Sequence, residues 1–308
     1  MINPLVSIVC DVYNHGPYLR NALDGFIMQQ VSFPIEILIH DDASTDNSAE
    51  IIREYENRYP DLFRPIYETE NQYHKQHLWA DIQFPRAQGK YIALCEGDDY
   101  WTDPLKLQKQ VDYMEAHPDC SLCFTNAIIH WYDGAHEDSV FAQFEEKDYS
   151  GVQLCEKWIS PTASFVFKTE FCKEFAQTVH KYPEIIIGDS PLLLTCAQNG
   201  KIHGIPDITC VYGKHESAWT QYTDALKTFQ SARSWEAHRA AFGREYHRVM
   251  TDTFTGQYLL AAYRAWGEKN YPIMLKSIYR GVLRQPHKGF RSIIQLINEQ
   301  HSHNSTAS

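Results

Sequence analysis

Lys90-Tyr91-Ile92-Ala93-Leu94-Cys95-Glu96-Gly97-Asp98-Asp99 is the stretch whose pattern decides the fold. A short unbroken apolar run is what a strand buried on both faces of a parallel sheet requires. This one ends in three acids within four residues. Leu5–Cys10 and Ile35–His40 have the same character, and the second of these ends at Asp41-Asp42. Between them, Tyr18–Gln30 reads as a helix after the breaker pair Gly16-Pro17. Thr45 or Asp46 can cap a second helix that runs to Arg58 and stops before Pro60. A strand at Phe63–Tyr67 and a helical stretch at Gln76–Ala87 fill the remainder. Strands separated by helices of this length make βαβ units and a mostly parallel sheet. Such sheets bind ligands beyond the carboxyl ends of their strands. Two of those ends here carry adjacent aspartates, and the functional reading starts from that placement.

Downstream, the pattern predicts a helix over Pro104–His117, a strand over Ser121–His130 and a polar excursion over Asp133–Ser150. Strands at Ala163–Lys168 and Lys201–Tyr212 follow, with helices near 170–178 and 190–199. From Asp224 to Glu299 the pattern is helical, interrupted near Gly243, Asn270–Pro272 and Pro286, and the last residues are polar and read as a disordered tail. The expected fold class is therefore α/β, a mostly parallel sheet flanked by helices, followed by an all-helical C-terminal extension. The expected boundaries are a catalytic domain over 1–217, divided near 103, an extension over 218–300 and a tail over 301–308.

The net charge of −11 is unevenly distributed. Residues 218–308 carry 12 basic and 6 acidic side chains, whereas residues 1–217 carry 16 and 33. A nucleic-acid binder would present a broad basic face, so this balance argues against one and suits a body that binds a cation. No apolar run reaches 18 residues, and Met1 leads into Leu5–Cys10 without a basic segment or cleavage site. The expectation is a cytoplasmic protein with no spanning helix or secretory signal. The eight cysteines lie mostly inside apolar runs and read as reduced core residues. Cys120 and Cys123 form the only C-x-x-C pair, and only His117 lies close enough in sequence to join them.

There is no G-x-G, so the dinucleotide fingerprint is absent, and no G-x-x-x-x-G-K-[ST] for a P-loop. Neither G-x-S-x-G nor H-E-x-x-H occurs. What remains is carboxylates. Glu96, Asp98 and Asp99 repel one another unless a cation neutralises them, and oxygen ligands favour Mg²⁺ or Mn²⁺. Gly97 among them allows close approach of the backbone to a ligand. The competing reading is a solvated acidic turn with Asp103 as a helix cap.

Val6-Ser7-Ile8-Val9-Cys10-Asp11-Val12-Tyr13-Asn14 resembles the first strand of the family 2 glycosyltransferases. Ile39-His40-Asp41-Asp42-Ala43-Ser44-Thr45-Asp46, Gly89-Lys90-Tyr91-Ile92 and Glu96-Gly97-Asp98-Asp99-Tyr100-Trp101 follow in the family's order. Ile187-Gly188-Asp189 and Val211-Tyr212-Gly213-Lys214-His215 complete the set, so the resemblance covers residues 4–217. It implies a GT-A fold, a nucleoside-diphosphate sugar donor (UDP-sugar above all), a divalent cation, Mn²⁺ or Mg²⁺, and inversion at the transferred sugar. It also implies that Asp11, Tyr13 and Asp42 hold the base, Tyr13 by stacking and Asp42 by accepting the imide N–H. By the same resemblance Asp98 contacts ribose or metal, Asp99 binds the metal, His215 contacts metal or diphosphate, and Asp189 is the general base. Trp101 and Glu96 would flank the sugar or acceptor. The chain departs from the family at Asp11-Val12, where Pro-Thr is usual, and at Gly188, where Glu often precedes the base.

Two other functions share some of these features. A sugar nucleotidyltransferase would want a Gly-rich basic first loop, which Asp11-Val12-Tyr13-Asn14-His15-Gly16 is not. A non-catalytic nucleotide-sugar binder has no need of Asp98, Asp99 and Asp189 together. In the basic extension, Ile273, Leu275, Ile278 and Val282 alternate with Lys276 and Arg280. This fits a helix lying on an anionic membrane beside a lipid-linked or glycan acceptor, and equally a helix packed on protein with a solvated basic face.

Overall fold

The computed structural model describes residues 3–215 and 224–283, which divide into two compact units. The first comprises residues up to His180 together with Asp189–His215; the second comprises Lys181–Gly188 with the chain beyond 215. The tail expected at 301–308 and the interruption expected near Pro286 lie outside the described residues.

The first unit is built on one sheet. Its strands are β1 (Val6–Val12), β2 (Ile35–Asp41), β3 (Phe63–Tyr67), β4 (Tyr91–Leu94), β5 (Tyr100–Trp101), β6 (Cys120–Trp131), β7 (Ser139–Val140), β8 (Lys147–Tyr149), β9 (Val166–Lys168) and β10 (Lys201–Lys214). The spatial order is β3-β2-β1-β4-β9-β6-β10-β5, with β7 on β6 and β8 on β10. β1 lies parallel to both β2 and β4, Val6 opposite Ile35 on one side and Tyr91 on the other. It is buried nearly throughout, hence its unbroken apolar run. Helices α1 (Leu19–Ile27), α2 (Ser48–Arg58) and α3 (Lys106–Ala116) carry apolar faces, among them Leu23, Phe26, Ile52 and Leu107, into the same core as Ile8, Ile39 and Tyr91. α4 (Gly151–Glu156) begins at a capping box formed by Ser150 and Gln153. α5 (Cys172–Lys181) and α6 (Asp189–Asn199) match the helices expected between β9 and β10.

Two segments differ from expectation. Gln76–Ala87 is not a regular helix but a π turn over Leu78–Gln83 and a 3-10 turn over Phe84–Arg86. Pro85 has no N–H to give, and the Gln83 amide instead reaches into the sheet, donating to the Cys10 and Leu38 carbonyls. The polar excursion contains β7 and β8, which are too short to show alternation and form by pairing with β6 and β10. All eight cysteines are free, with Cys120 and Cys123 buried in β6.

Three features of this sheet place the site. The parallel register delivers the ends of β1, β2 and β4 to one edge. Ala43, just past β2, has φ 60°, and Asn14, past β1, has φ 56°. The Asn14 side chain accepts from the Thr45 amide at 2.8 Å and its own N–H donates to Ser44, locking the two strand ends together. Finally, β5 runs antiparallel to β10, Tyr100 opposite Val211 and Trp101 opposite Cys210. Continuing that register brings Asp99 and Asp98 alongside Tyr212 and Gly213.

The second unit consists of α7 (Ala225–Ala241), α8 (His247–Gly267) and α9 (Tyr271–Ile278), with a π turn over Tyr279–Leu283. Asp224 caps α7 and Asn270 caps α9. The breaks fall near Gly243 and Asn270 as the sequence predicts. Ala232, Phe254 and Tyr258 form its small core. Residues 181–188 are tied to α7: Glu184 pairs with Arg233 at 2.9 Å, the Tyr182 hydroxyl donates to the Ala240 carbonyl, and the Ile186 amide donates to Ser234.

Candidate active site

Glu96 follows β4 and keeps an exposed edge in an otherwise crowded acidic turn. That crowding, then the charges of Asp98, Asp11 and Asp189, pushes its carboxyl well above the usual range. Asp189 opens α6 and is only partly exposed. The Ser190 amide donates to one of its oxygens at 2.6 Å and the Thr162 hydroxyl to the other at 3.1 Å. Burial raises its carboxyl, although these two donors act in the opposite direction. Burial first, then the charges of Asp99, Glu96, Asp98 and Asp189, raises the Tyr212 phenol.

The two aspartates of the Asp98-Asp99 pair point to different surroundings. Asp98 accepts from or pairs with His215 Nε2 at 2.8 Å, and His15 Nε2 lies 3.9 Å away. Burial opposes its ionisation, but the two imidazoles more than offset this and hold its carboxyl below the usual range. Asp98 Oδ1 and His15 Nδ1 are buried without a hydrogen-bond partner. Asp99, by contrast, accepts from the Gly213 amide at 2.8 Å and is 5% exposed. Burial first, then the charge of Asp98, raises its carboxyl. Asp99 was the carboxylate expected to bind the metal; among the described residues the side chains whose ligand atoms gather are instead His15, Asp98 and His215, within 4.8 Å of one another. Tyr18 stacks on His215 with ring centroids 4.6 Å apart and fixes that imidazole.

Tyr13 is 46% exposed past the end of β1, open to a stacking partner. Asp11 receives the Gln83 amide at 3.1 Å and faces the buried His40 at 3.5 Å. Asp42 is buried; its two oxygens accept from the amides of Gln72 at 2.6 Å and Tyr73 at 3.2 Å. It thus shapes the 71–73 loop, with lone pairs left over for a ligand donor. Trp101 does not flank the site. It is 2% exposed, donates its indole N–H to the Ala163 carbonyl at 2.8 Å and packs edge-on against Phe26. Its role is in the core, over Gly25, where a Cβ would crowd its backbone.

Sequence reasoning missed His15, Thr162 and Gln83. The only signal for His15 was its place directly after Tyr13-Asn14 at a strand end. Thr162 and Gln83 had none, because each acts through a contact that only the folded chain creates.

An α/β sheet with carboxylates and imidazoles gathered beyond its strand ends defines the class. Residues 7–171 match the model of Glycosyl transferase family 2, and the chain belongs to that family. An uncharacterized protein of Mycobacterium tuberculosis is 39% identical over 233 residues, 73% of this chain and 64% of that protein. The chain thus spans less than two thirds of the length of that relative. An uncharacterized glycosyltransferase of Nostoc is 34% identical over 110 residues, 36% of this chain and 33% of that one. Among solved structures, S. aureus TarS 1–349 in complex with UDP-GlcNAc superposes with a TM-score of 0.66 at 14% identity, covering 92% of this chain and 82% of that one. The mannosyltransferase PcManGT of Pyrobaculum calidifontis, in complex with GDP-Man and Mn2+, gives 0.58 at 15% identity, covering 95% and 84%. At these identities the likeness is one of fold.

Proposed function

We propose that the protein transfers one sugar from a UDP-sugar to an acceptor hydroxyl, with inversion, at the acidic residues Glu96, Asp98 and Asp189. The observation that carries this reading is the Asp189 carboxylate at the start of α6, held by the Thr162 hydroxyl and the Ser190 amide and raised by burial. A general base must accept a proton during the reaction, and partial desolvation suits a carboxylate to that. Asp189 takes the proton of the acceptor hydroxyl as that oxygen attacks the anomeric carbon opposite the leaving diphosphate. One displacement inverts the centre, as in single-step glycosidases.

A divalent cation, Mn²⁺ or Mg²⁺, fits this chain at Asp98 and His215, where Asp98 Oδ1 is buried and without a partner. When bound, such an ion neutralises charge gathering on the diphosphate. Tyr13 stacks on the base, and Asp11 and Asp42 border it. The UDP-GlcNAc of TarS and the GDP-Man of PcManGT support a nucleoside-diphosphate sugar as donor. The test is a panel of UDP- and GDP-sugars with Mn²⁺ and no acceptor, read by melting temperature and slow release of nucleotide. A UDP-sugar should raise the melting temperature and be hydrolysed; a panel without response would remove the reading.

The acceptor we propose is lipid-linked or a glycan held at a membrane surface. No helix among the described residues is long and apolar enough to cross a membrane. Tyr271 and Leu275 on α9 and Tyr279 in the turn directly after it recur every fourth residue and are exposed, as are Tyr263 and Trp266 on α8, Trp266 meeting Tyr271 edge to face. Tyr and Trp favour the membrane interface, and exposed Lys269 and Lys276 supply charge complementary to anionic headgroups. The one acid in this stretch, Glu268, accepts from the Ala225 amide. The full chain should sediment with phosphatidylglycerol vesicles at low salt and be released by salt or by Trp266→Ser with Tyr279→Ser. No binding at low salt, or self-association through the same residues instead, would overturn the proposal.

A further inference from the structure

We propose that His15 is a direct ligand of the divalent cation, completing with Asp98 and His215 a site of two imidazoles and one carboxylate that prefers Mn²⁺ to Mg²⁺. The inference rests on the cation-assisted reading above and adds a residue and a selectivity to it. The donor atoms of the three side chains lie within 4.8 Å of one another. His15 Nδ1 and Asp98 Oδ1 are buried and hydrogen-bond to nothing, an uncommon condition for polar atoms in a folded interior.

The position of His15 is built rather than incidental. Its carbonyl accepts from the amides of Tyr18 and Leu19, each at 2.8 Å, which makes it the entry to α1. The Asp46 carboxylate accepts from the next amide, Gly16, at 2.9 Å. On the opposite side lies Gly97, where a Cβ would come 2.8 Å from His15 Nδ1. Gly97 therefore leaves room for the His15 ring against the acidic turn. His215 is set by Tyr18, three residues after His15 and in the same loop-to-helix entry.

The donor set determines the ion. Mg²⁺ favours oxygen ligands and keeps its waters, whereas imidazole nitrogens suit the transition metals, whose affinities rise from Mn²⁺ onward. Two neutral imidazoles and one carboxylate also leave a bound dication with net positive charge, which suits an anionic diphosphate.

The experiment measures binding of Mn²⁺, Co²⁺ and Mg²⁺ alone, without nucleotide, by titration calorimetry and by the visible absorption of Co²⁺, in the full chain. His15→Ala should weaken Mn²⁺ and Co²⁺ by about 10–100-fold, the scale on which support of a metal site is usually felt. It should alter the Co²⁺ spectrum and leave Mg²⁺ nearly unchanged. Gly97→Ala, which displaces the ring without removing a ligand, should shift Mn²⁺ affinity in the same direction, with circular dichroism confirming an intact fold. Unchanged Mn²⁺ and Co²⁺ affinity and an unchanged spectrum in His15→Ala would overturn the proposal. If Asp98→Asn still abolishes Mn²⁺ binding in that case, the cation-assisted reaction stands and His15 alone is removed from it. If Asp98→Asn also binds like the parent, the cation reading itself falls.

Discussion

Asp189→Asn should reduce turnover by roughly 10²–10⁴-fold, the range typical for loss of a general base, while donor binding and thermal stability hardly change. The substitution preserves shape. The Asn amide oxygen can still accept from the Ser190 amide or the Thr162 hydroxyl, so the start of α6 keeps its anchor. What disappears is the ability to take a proton. Because the proposed base acts on the acceptor and not on the diphosphate, UDP titrated with Mn²⁺ should give the affinity of the parent. An Asn variant that turns over normally, or that loses UDP binding along with activity, would make Asp189 structural or a donor ligand. Thr162→Val serves as a milder companion: removing one orienting hydroxyl should lower turnover without abolishing it.

The second large effect separates two neighbours in the chain. Asp98→Asn should abolish the melting shift produced by Mn²⁺ and lower turnover by at least about 10²-fold, more than the loss of an outer partner of a metal site usually costs. Asp98 faces His15 and His215. Asp99→Asn should retain Mn²⁺ binding, because Asp99 serves the Gly213 amide. Its effect should appear as a lower melting temperature, as that bond ties the acidic turn to β10. The reverse pattern, Mn²⁺ binding lost in Asp99→Asn and kept in Asp98→Asn, would return the metal to Asp99. The assay is differential scanning fluorimetry with and without Mn²⁺, followed by steady-state turnover at saturating donor.

The central strands were legible because burial on both faces leaves an unbroken apolar run, as at Leu5–Cys10, Ile35–His40 and Lys90–Cys95. The ends of those runs located the carboxylates. Which of Asp98 and Asp99 meets the two histidines was not legible, because successive side chains near a strand point to opposite sides. The choice is made by pairing of β5 with β10, more than a hundred residues away. His15 was overlooked for the same reason. A lone histidine after a strand carries no signal until Asp98, Gly97 and His215 arrive from β4 and β10. Trp101 misled in the other direction: an aromatic next to an acidic motif invites a ligand role, but the space over Gly25 and the Ala163 carbonyl take it into the core. The short strands β7 and β8 borrow their order from longer neighbours, so their own composition reads as loop.

The most direct test of the central claim follows the anomeric centre of the transferred sugar. With an α-linked UDP-sugar and Mn²⁺, proton NMR of the first-formed product, from acceptor or from water, should show the β configuration together with one equivalent of UDP. A single displacement assisted by Asp189 leaves no other outcome. A first-formed product that retains the α configuration would contradict the account, since it would require a nucleophile on the enzyme or a front-face path in place of a single displacement assisted by Asp189.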